Sequence, residues 1–558
     1  MATSDSAHTA LHDLSSTSYN QQSLDVRDDV KIDRSYMRDH RFWSVIIALS
    51  TMVFLGSLEN TVIVTSLPYI SSELNLGSSY VWVGNIFFLT CAVVQPLCGQ
   101  LSNLFGRRFL ALLIVSTYVL GSGISGGANG PSMLIAGRAV QGAGSGGMTM
   151  IVSVIVSDLV PLRDRGYFQA IIAMTFGIGM AIGPIIGGLI VQNISWRWVF
   201  YINLPVGGLS LVLLWLFLRV KWDRETKVWD KLRRIDTVGN GVLVASTVSI
   251  LIALTWAGVI HPWSSYHVLV PLVIGIVGLI SFCALEGSTL ISNPVMPLRL
   301  FASRTSMVVY ANTFFVSMLN YWIFFFLPIY FQSVKLSSPS RSGVQMLPIT
   351  FILIPGAAIG AVALSTWGKY KLLHIVGFAF LTAGMGSLSV LDRDSSTAEW
   401  VCLQILPALG AGIVVDTLLP AFQTGVAESD SAAATASWTF MRSFGNIWGV
   451  AVPSAIFNSY TNQYASTITD PSAQEYLLRG DAYSSATKTF VEGFPVQTQS
   501  EIIEVFAKAL SKVFMIAVAF SGLAFVLCFI EGEVDLRTEL KTDFGLEEKQ
   551  TNEPNKGT

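Results

Sequence analysis

Residues 131–157 read "PSMLIAGRAVQGAGSGGMTMIVSVIVS", and the fold turns on how this stretch is understood. Gly142, Gly144 and Gly147 within it have the spacing GxGxxG, which on paper is a dinucleotide-binding fingerprint. Such a fingerprint needs a strand before it, a helix opening within it and an acidic residue about 20 positions later to hold a ribose. Here apolar residues flank the glycines on both sides. The run from about Ser132 to Ser157 is long enough to cross a hydrocarbon layer about 30 Å thick. Glycine inside such a span permits close helix packing or lines a cavity. The stretch is therefore a membrane helix, and no cofactor loop is expected.

The rest of the chain has the same character. Its 558 residues are 52% hydrophobic and 13% charged, against about 25% charged in an average soluble protein, and the mean hydropathy is +0.57. An all-α integral membrane protein follows, in contact with the lipid bilayer. A net charge of -2 without a concentrated basic face excludes a nucleic-acid partner. Cys91, Cys98, Cys283, Cys402 and Cys528 fall within apolar runs without metal-ligand spacing, so they are expected to be buried thiols, with no metal site. Residues 1–41 are polar, rich in Ser, Thr and Asp, and lack a signal peptide; they read as a disordered cytosolic tail.

Apolar runs of about 18 to 26 residues give fourteen spans, the first centred near Phe54 and the last near Met515. With a cytosolic N-terminus, inside loops hold roughly fifteen Lys and Arg and the short outside loops roughly four. Both termini are then cytosolic. The basic loop at 220–236, most of it in "RVKWDRETKVWDKLRR" from Arg219 to Arg234, divides six spans from eight. The only long outside loop, 458–510, ends in "SEIIEVFAKAL", whose 3.6-residue apolar period predicts an interfacial helix. The "RGD" at Arg479 and the "NIS" sequon at Asn193 are given no role.

Two pairs of stretches hint at a parallel internal repeat of the kind found in secondary transporters. "GQLSNLFGRR" from Gly99 pairs with "AVALSTWGKY" from Ala361, and "QGAGSGG" from Gln141 pairs with "LGAGIVV" near Gly410. Span 2 would then correspond to span 10, and span 4 to span 12.

Several motifs together resemble the major facilitator superfamily, specifically its fourteen-span drug:proton antiporter branch. Span 1 carries "LENTVIVTSLP" from Leu58, similar to LDxTIVNVALP. The loop after span 2 carries "GQLSNLFGRR", similar to GxLaDrxGRR, and span 4 carries "LIAGRAVQGAG", similar to LxxxRxxQGxG. Span 5 carries "GIGMAIGPIIGG", the antiporter pattern, followed by "WRWVFYINLPVG". The resemblance implies a major facilitator fold of two six-helix bundles, at 42–219 and 303–530, plus two inserted helices at 237–286. A cytosolic tail at 531–558 completes the chain.

Charge at mid-bilayer is costly, so the few intramembrane charges are functional candidates. Glu59 on span 1 and Arg138 on span 4 lie about 7 and about 10 Å to the outer side of their span centres, and so could meet. A carboxylate there, partly dry and facing a guanidinium, suits a proton carrier; a fixed ion pair tying two helices is the alternative. Asp416 on span 12 is a second proton-coupling candidate, with a conformational lock as its alternative. Among the gating candidates Gly99 and Gly106 allow close approach and a tight turn, while Arg107 and Arg108 anchor the loop inside. Asn103 stands where the family has Asp, and Asp158 is a candidate partner for the arginines. The resemblance implies an inner-gate role for this loop.

Gly179, Gly183 and Gly187 recur every fourth residue on span 5 beside Pro184 and Gly188, which predicts a bent, tightly packed helix. The resemblance makes it a hinge. Trp196, Arg197 and Trp198 are read as structural, at an interfacial aromatic belt. Candidate substrate contacts are Asn85, Gln141, Asn320, Tyr321 and Phe325, the last three from the aromatic run of span 9, which suits a large amphipathic molecule if it faces inward. The expected function is proton-coupled export of drugs, toxins or secondary metabolites by antiport from the plasma or vacuolar membrane. No enzyme activity and no cofactor beyond the proton gradient are expected, and a monomer is. A siderophore or basic amino-acid importer and a non-transporting nutrient sensor remain alternatives. No phosphate loop supports an ATP-driven pump.

Overall fold

The computed structural model describes residues 40–74, 80–218, 236–257, 261–288, 294–427, 430–478 and 486–533. The N-terminal tail to residue 39, most of the basic loop, the Arg479–Asp481 tripeptide and the Asn193 side chain lie outside the described residues. Among the described residues there is no strand, only one isolated bridge between Ala257 and His261. In hydrocarbon a segment must satisfy its own backbone hydrogen bonds, and a helix does so without a partner.

Among the described residues fourteen long helices follow one another: α1 His40–Leu74, α2 Tyr80–Phe105, α3 Arg107–Gly126, α4 Pro131–Leu159, α5 Leu162–Asn193, α6 Asn203–Phe217, α7 Thr237–Trp256, α8 Tyr266–Glu286, α9 Arg304–Ile329, α10 Leu347–Trp367, α11 Lys371–Leu388, α12 Thr397–Val415, α13 Ser431–Ala465 and α14 Val496–Cys528. Short helical turns at Arg197–Tyr201 and Leu418–Gln423 lead into α6 and extend α12. Twelve of the fourteen are long and apolar enough to cross a membrane. The other two are α5 and α13. Stretches of α5 lie outside the described side chains, and α13 is rich in Ser, Thr and Asn and carries Arg442.

The helix boundaries have local causes. Asp236 accepts a hydrogen bond from the Gly239 amide at the start of α7, and Ser396 with Glu399 forms a reciprocal capping box on α12. Gly106 after α2 and Gly368 after α10 adopt φ of 80° and 69°, a left-handed conformation that costs glycine nothing, so each helix stops sharply and the next begins at once. These two glycines are the pair matched by the expected repeat.

Packing has the same period. α4 packs on α2 and α3, and α3 on α6; likewise α12 packs on α10 and α11, and α11 on α14. Across the molecule α2 packs on α13, and α10 on α5. Advancing every helix by eight positions turns one set of contacts into the other. The residue register of the span-4 match needs correction, however. A Cβ on Gly142 would run into Phe87 and Thr90 of α2, whereas one on Gly410 would run into Gly377 and Leu381 of α11, the counterpart of α3. Gly144 faces Tyr118 of α3, and Gly412 faces Leu353 of α10. Gly144 therefore matches Gly410 and Gly146 matches Gly412, two residues away from the alignment of identical letters.

α7 and α8 pack chiefly on each other. Leu269, Val270, Val273, Ile274, Val277 and Ile280 of α8 are exposed, an apolar face that belongs against lipid. Other expectations also change. The "SEIIEVFAKAL" segment is not a separate interfacial helix but the first turns of α14, and α13 runs on to Ala465, so the described residues of 458–510 are largely helical. All five cysteines are free, but Cys283 and Cys402 are exposed on their helices rather than buried. Trp196 is buried, 2% exposed, instead of lying in an aromatic belt, while Trp198 is half exposed.

Candidate functional site

Glu59 on α1 and Arg138 on α4 meet as a buried ion pair, each 1% exposed. The Arg138 Nη1 donates to Glu59 Oε1 and, at 2.7 Å, to Gln141 Oε1; its Nε donates to the Val83 carbonyl at 3.1 Å. Asn203 Nδ2, at the start of α6, donates to the other Glu59 oxygen at 2.6 Å. Gln141 Nε2 donates to Ser122 Oγ of α3 at 2.8 Å. One polar network thus joins α1, α2, α3, α4 and α6.

The glycines of α4 make this network possible. The close approach of α2 at Gly142 leaves Phe87 beside α4, and the Phe87 ring lies under the Arg138 guanidinium, 4.2 Å from ring centroid to Cζ. A Cβ on Gly146 would overlap the Cys91 carbonyl. Gln141 is brought into the network from the sequence-based candidates. Asn203 and Ser122 were missed. Asn203 sits in "YINLPVG", where an amide in an apolar run was the available signal.

A second buried pair forms at the loop. Arg107 Nε donates to Asp158 Oδ2 at 2.7 Å, and Arg107 Nη1 donates to the Ser102 carbonyl at 2.9 Å, closing the turn that Gly106 opens. Arg108 instead reaches the Trp215 carbonyl at 2.6 Å at the end of α6. The Asn103 side chain lies outside the described ones. At the same end, contacts cross between the two sets of helices. A Cβ on Gly99 would come within 2.5 Å of Ala436 Cβ on α13, and Gln95 Nε2 donates to Ser443 Oγ at 2.9 Å. Arg165 Nη1 donates to Gln423 Oε1 at 2.6 Å, and Gln423 Nε2 donates to Thr435 Oγ1 at 2.8 Å. Arg165 and Gln423 were not anticipated.

The remaining candidates are dispersed. Asp416 ends α12, buried, its Oδ2 without a hydrogen-bond partner. Tyr321 and Phe325 of α9 stack at 6.0 Å between ring centroids, and both are half-buried, as is Asn320. Gly179 presses α5 onto Ser57 of α1, and Gly183 and Gly187 are buried; the side chains of Asn85 and Pro184, and Gly188, lie outside the described set. Arg197 holds the carbonyls of Gly126 (3.0 Å) and Ala128 (2.6 Å), a structural tie.

The expected tail does not begin at residue 531. Glu531 is 1% exposed; its Oε2 pairs with His374 Nδ1 at 2.8 Å, and its Oε1 accepts from Asn312 at 3.1 Å. Lys371 and Tyr370 hold the carbonyls of Glu531 and Gly532, both at 2.6 Å. Glu531 and Gly532 are pinned against α9 and α11.

Known proteins are similar to this chain. Residues 49–450 match the family model described as Major Facilitator Superfamily. An MFS-type transporter, TwmF, from Talaromyces wortmannii is 49% identical over 513 residues, which is 92% of this chain and 93% of that protein. An MFS-type efflux pump, LUC4, from a Fusarium species is 42% identical over 513 residues, 92% of this chain and 91% of that one. The efflux pump FUS6 of Gibberella fujikuroi is 41% identical over 517 residues, 92% and 93% of the two chains. Among solved structures, the proton:xylose symporter XylE superposes with a TM-score of 0.54 at 13% identity, covering 89% of this chain and 98% of that one. With the buried pair on α1 and α4, the glycine-lined helix and the repeated packing already in view, these matches show that the chain belongs to the Major Facilitator Superfamily, as a membrane transporter rather than an enzyme.

Proposed function

We propose that this protein exports amphipathic organic molecules in exchange for protons, by alternating access between two six-helix halves. All fourteen long helices cross the bilayer, both termini face the cytosol, and the protein works as a monomer in the plasma membrane. The observation that carries the reading is the Glu59–Arg138 pair. An acid and a guanidinium, buried where charge is most costly, connect five helices through side chains that a single proton can reorganise. A proton on Glu59 removes the charge that Arg138 and Asn203 hold, and loosens α1 from α4 and α6. Release of that proton restores the clamp.

The contacts between halves at the Arg107 end support an outward-facing state, with the cytosolic side shut by Arg165–Gln423 and Gln95–Ser443. Relatives named as efflux pumps favour export over import. The test is movement of a panel of lipophilic dyes in proteoliposomes under an imposed proton gradient. Transport that a protonophore abolishes is expected; transport indifferent to the gradient argues against coupling. A fixed ion pair is the competing reading, favoured by the number of donors already satisfied around Glu59.

A further inference from the structure

Arg442 on α13 is a membrane arginine that the Glu59 network does not use. It is half-buried and forms neither a hydrogen bond nor an ion pair with a described residue; its one specific contact is the Trp438 ring, 5.4 Å from centroid to Cζ. An unpaired guanidinium inside a membrane is costly, so it calls for an anion. The nearest built-in candidate does not supply one. Asp416, at the end of α12, experiences the Arg442 charge without pairing with it.

Polar atoms on α2, α13 and at the end of α12 are also left open. The Trp438 indole N–H, Gln95 Oε1 and Asp416 Oδ2 are buried with no hydrogen-bond partner, in residues 3%, 1% and 7% exposed. Ser443, next to Arg442, bonds Gln95 across the seam between the halves. Two donors one helical turn apart on α13, one of them charged, are therefore left without a hydrogen-bond partner. Tyr321 stacks on Phe325 along α9, and Phe444 packs edge-on against Trp448 along α13.

We propose that Arg442 and the Trp438 N–H form an anion-binding site that takes the carboxylate, or another ionised acidic group, of an otherwise apolar substrate. Asp416, whose carboxylate is not paired with Arg442, opposes the incoming anion by like charge. The apolar body of the substrate lies along the aromatic side chains of α9 and α13. This deepens the export reading by naming the substrate class, and it rests on that reading.

The experiment measures binding of 11-(dansylamino)undecanoic acid and of its methyl ester to the full-length protein in phosphatidylcholine nanodiscs, with empty nanodiscs subtracted. The wild type should hold the acid about tenfold more tightly than the ester, the size of one charge-assisted hydrogen bond. Arg442→Gln should bring the acid to the level of the ester and leave the ester unchanged, which also reports that the variant is folded. Arg442→Lys should keep part of the preference, and Asp416→Asn should tighten the acid several-fold. No acid preference in the wild type, or a preference that survives Arg442→Gln, overturns the proposal. If proton-driven movement of the ester in proteoliposomes persists while the acid preference is absent, export stands and the anion site falls. If neither probe moves with the gradient, export fails independently of the binding result.

Discussion

Asn203 gives its amide to the Glu59 carboxylate inside a protein core where every unsatisfied acceptor is costly. Asn203→Leu leaves that oxygen without its donor and should destabilise the protein by about 1–3 kcal/mol. Asn203→Asp adds a second acid and should be worse. Thermal unfolding in detergent checks both, and an Asn203→Asp variant as stable as wild type would contradict the geometry. The Arg107–Asp158 pair behaves differently, because both partners are charged and buried. Asp158→Asn takes the charged partner from a buried guanidinium, a loss of up to about 3–5 kcal/mol, and the double variant with Arg107→Gln should lose clearly less than the two single losses added together. Glu59, Arg138 and Asp158 were legible because charge in an apolar run stands out. Asn203, Arg165 and Gln423 were not, because their importance comes from partners 144 and 258 positions away in the chain.

The glycines of α4 show what periodicity reveals and what it hides. Small residues in a membrane helix announced close packing, and the structure shows which neighbour each one meets. Gly146→Leu would drive its side chain into the Cys91 carbonyl of α2, so a melting temperature well below wild type is expected, the mark of an overpacked contact worth about 1–3 kcal/mol or more. Gly123 of α3 and Gly208 of α6 have open space where a Cβ would stand, with no neighbouring atom within 4 Å, and Gly→Ala there should be neutral or slightly stabilising. A Gly146→Leu variant as stable as Gly123→Ala would refute the packing. Helix positions were legible from apolar run length. Helix ends were less so: α13 and α14 run past the expected loop boundaries because amphipathic turns continue a helix beyond the bilayer as readily as they lie on its surface.

The two sets of helices close on each other at the end that carries the Gly106 turn. Cysteines placed at Arg165 and Gln423 in a background lacking the native thiols should be joined by a short bifunctional reagent, with transport lost on joining and restored on cleavage. Full transport with the two positions joined would contradict a closure that must open in each cycle. The eight-helix shift relating the halves was visible in outline through Gly106 and Gly368. Its register at α12 was hidden, because two GAG runs align by letter while their neighbours demand an offset of two. Beneath these motions stands the claim that Glu59 carries the coupling proton. Proteoliposomes with wild type and Glu59→Gln, assayed for dye accumulation under a proton gradient and for dye exchange at equal pH, test it directly. Glu59→Gln should keep exchange and lose gradient-driven accumulation; accumulation equal to wild type would make the pair a structural clasp and move the coupling proton elsewhere.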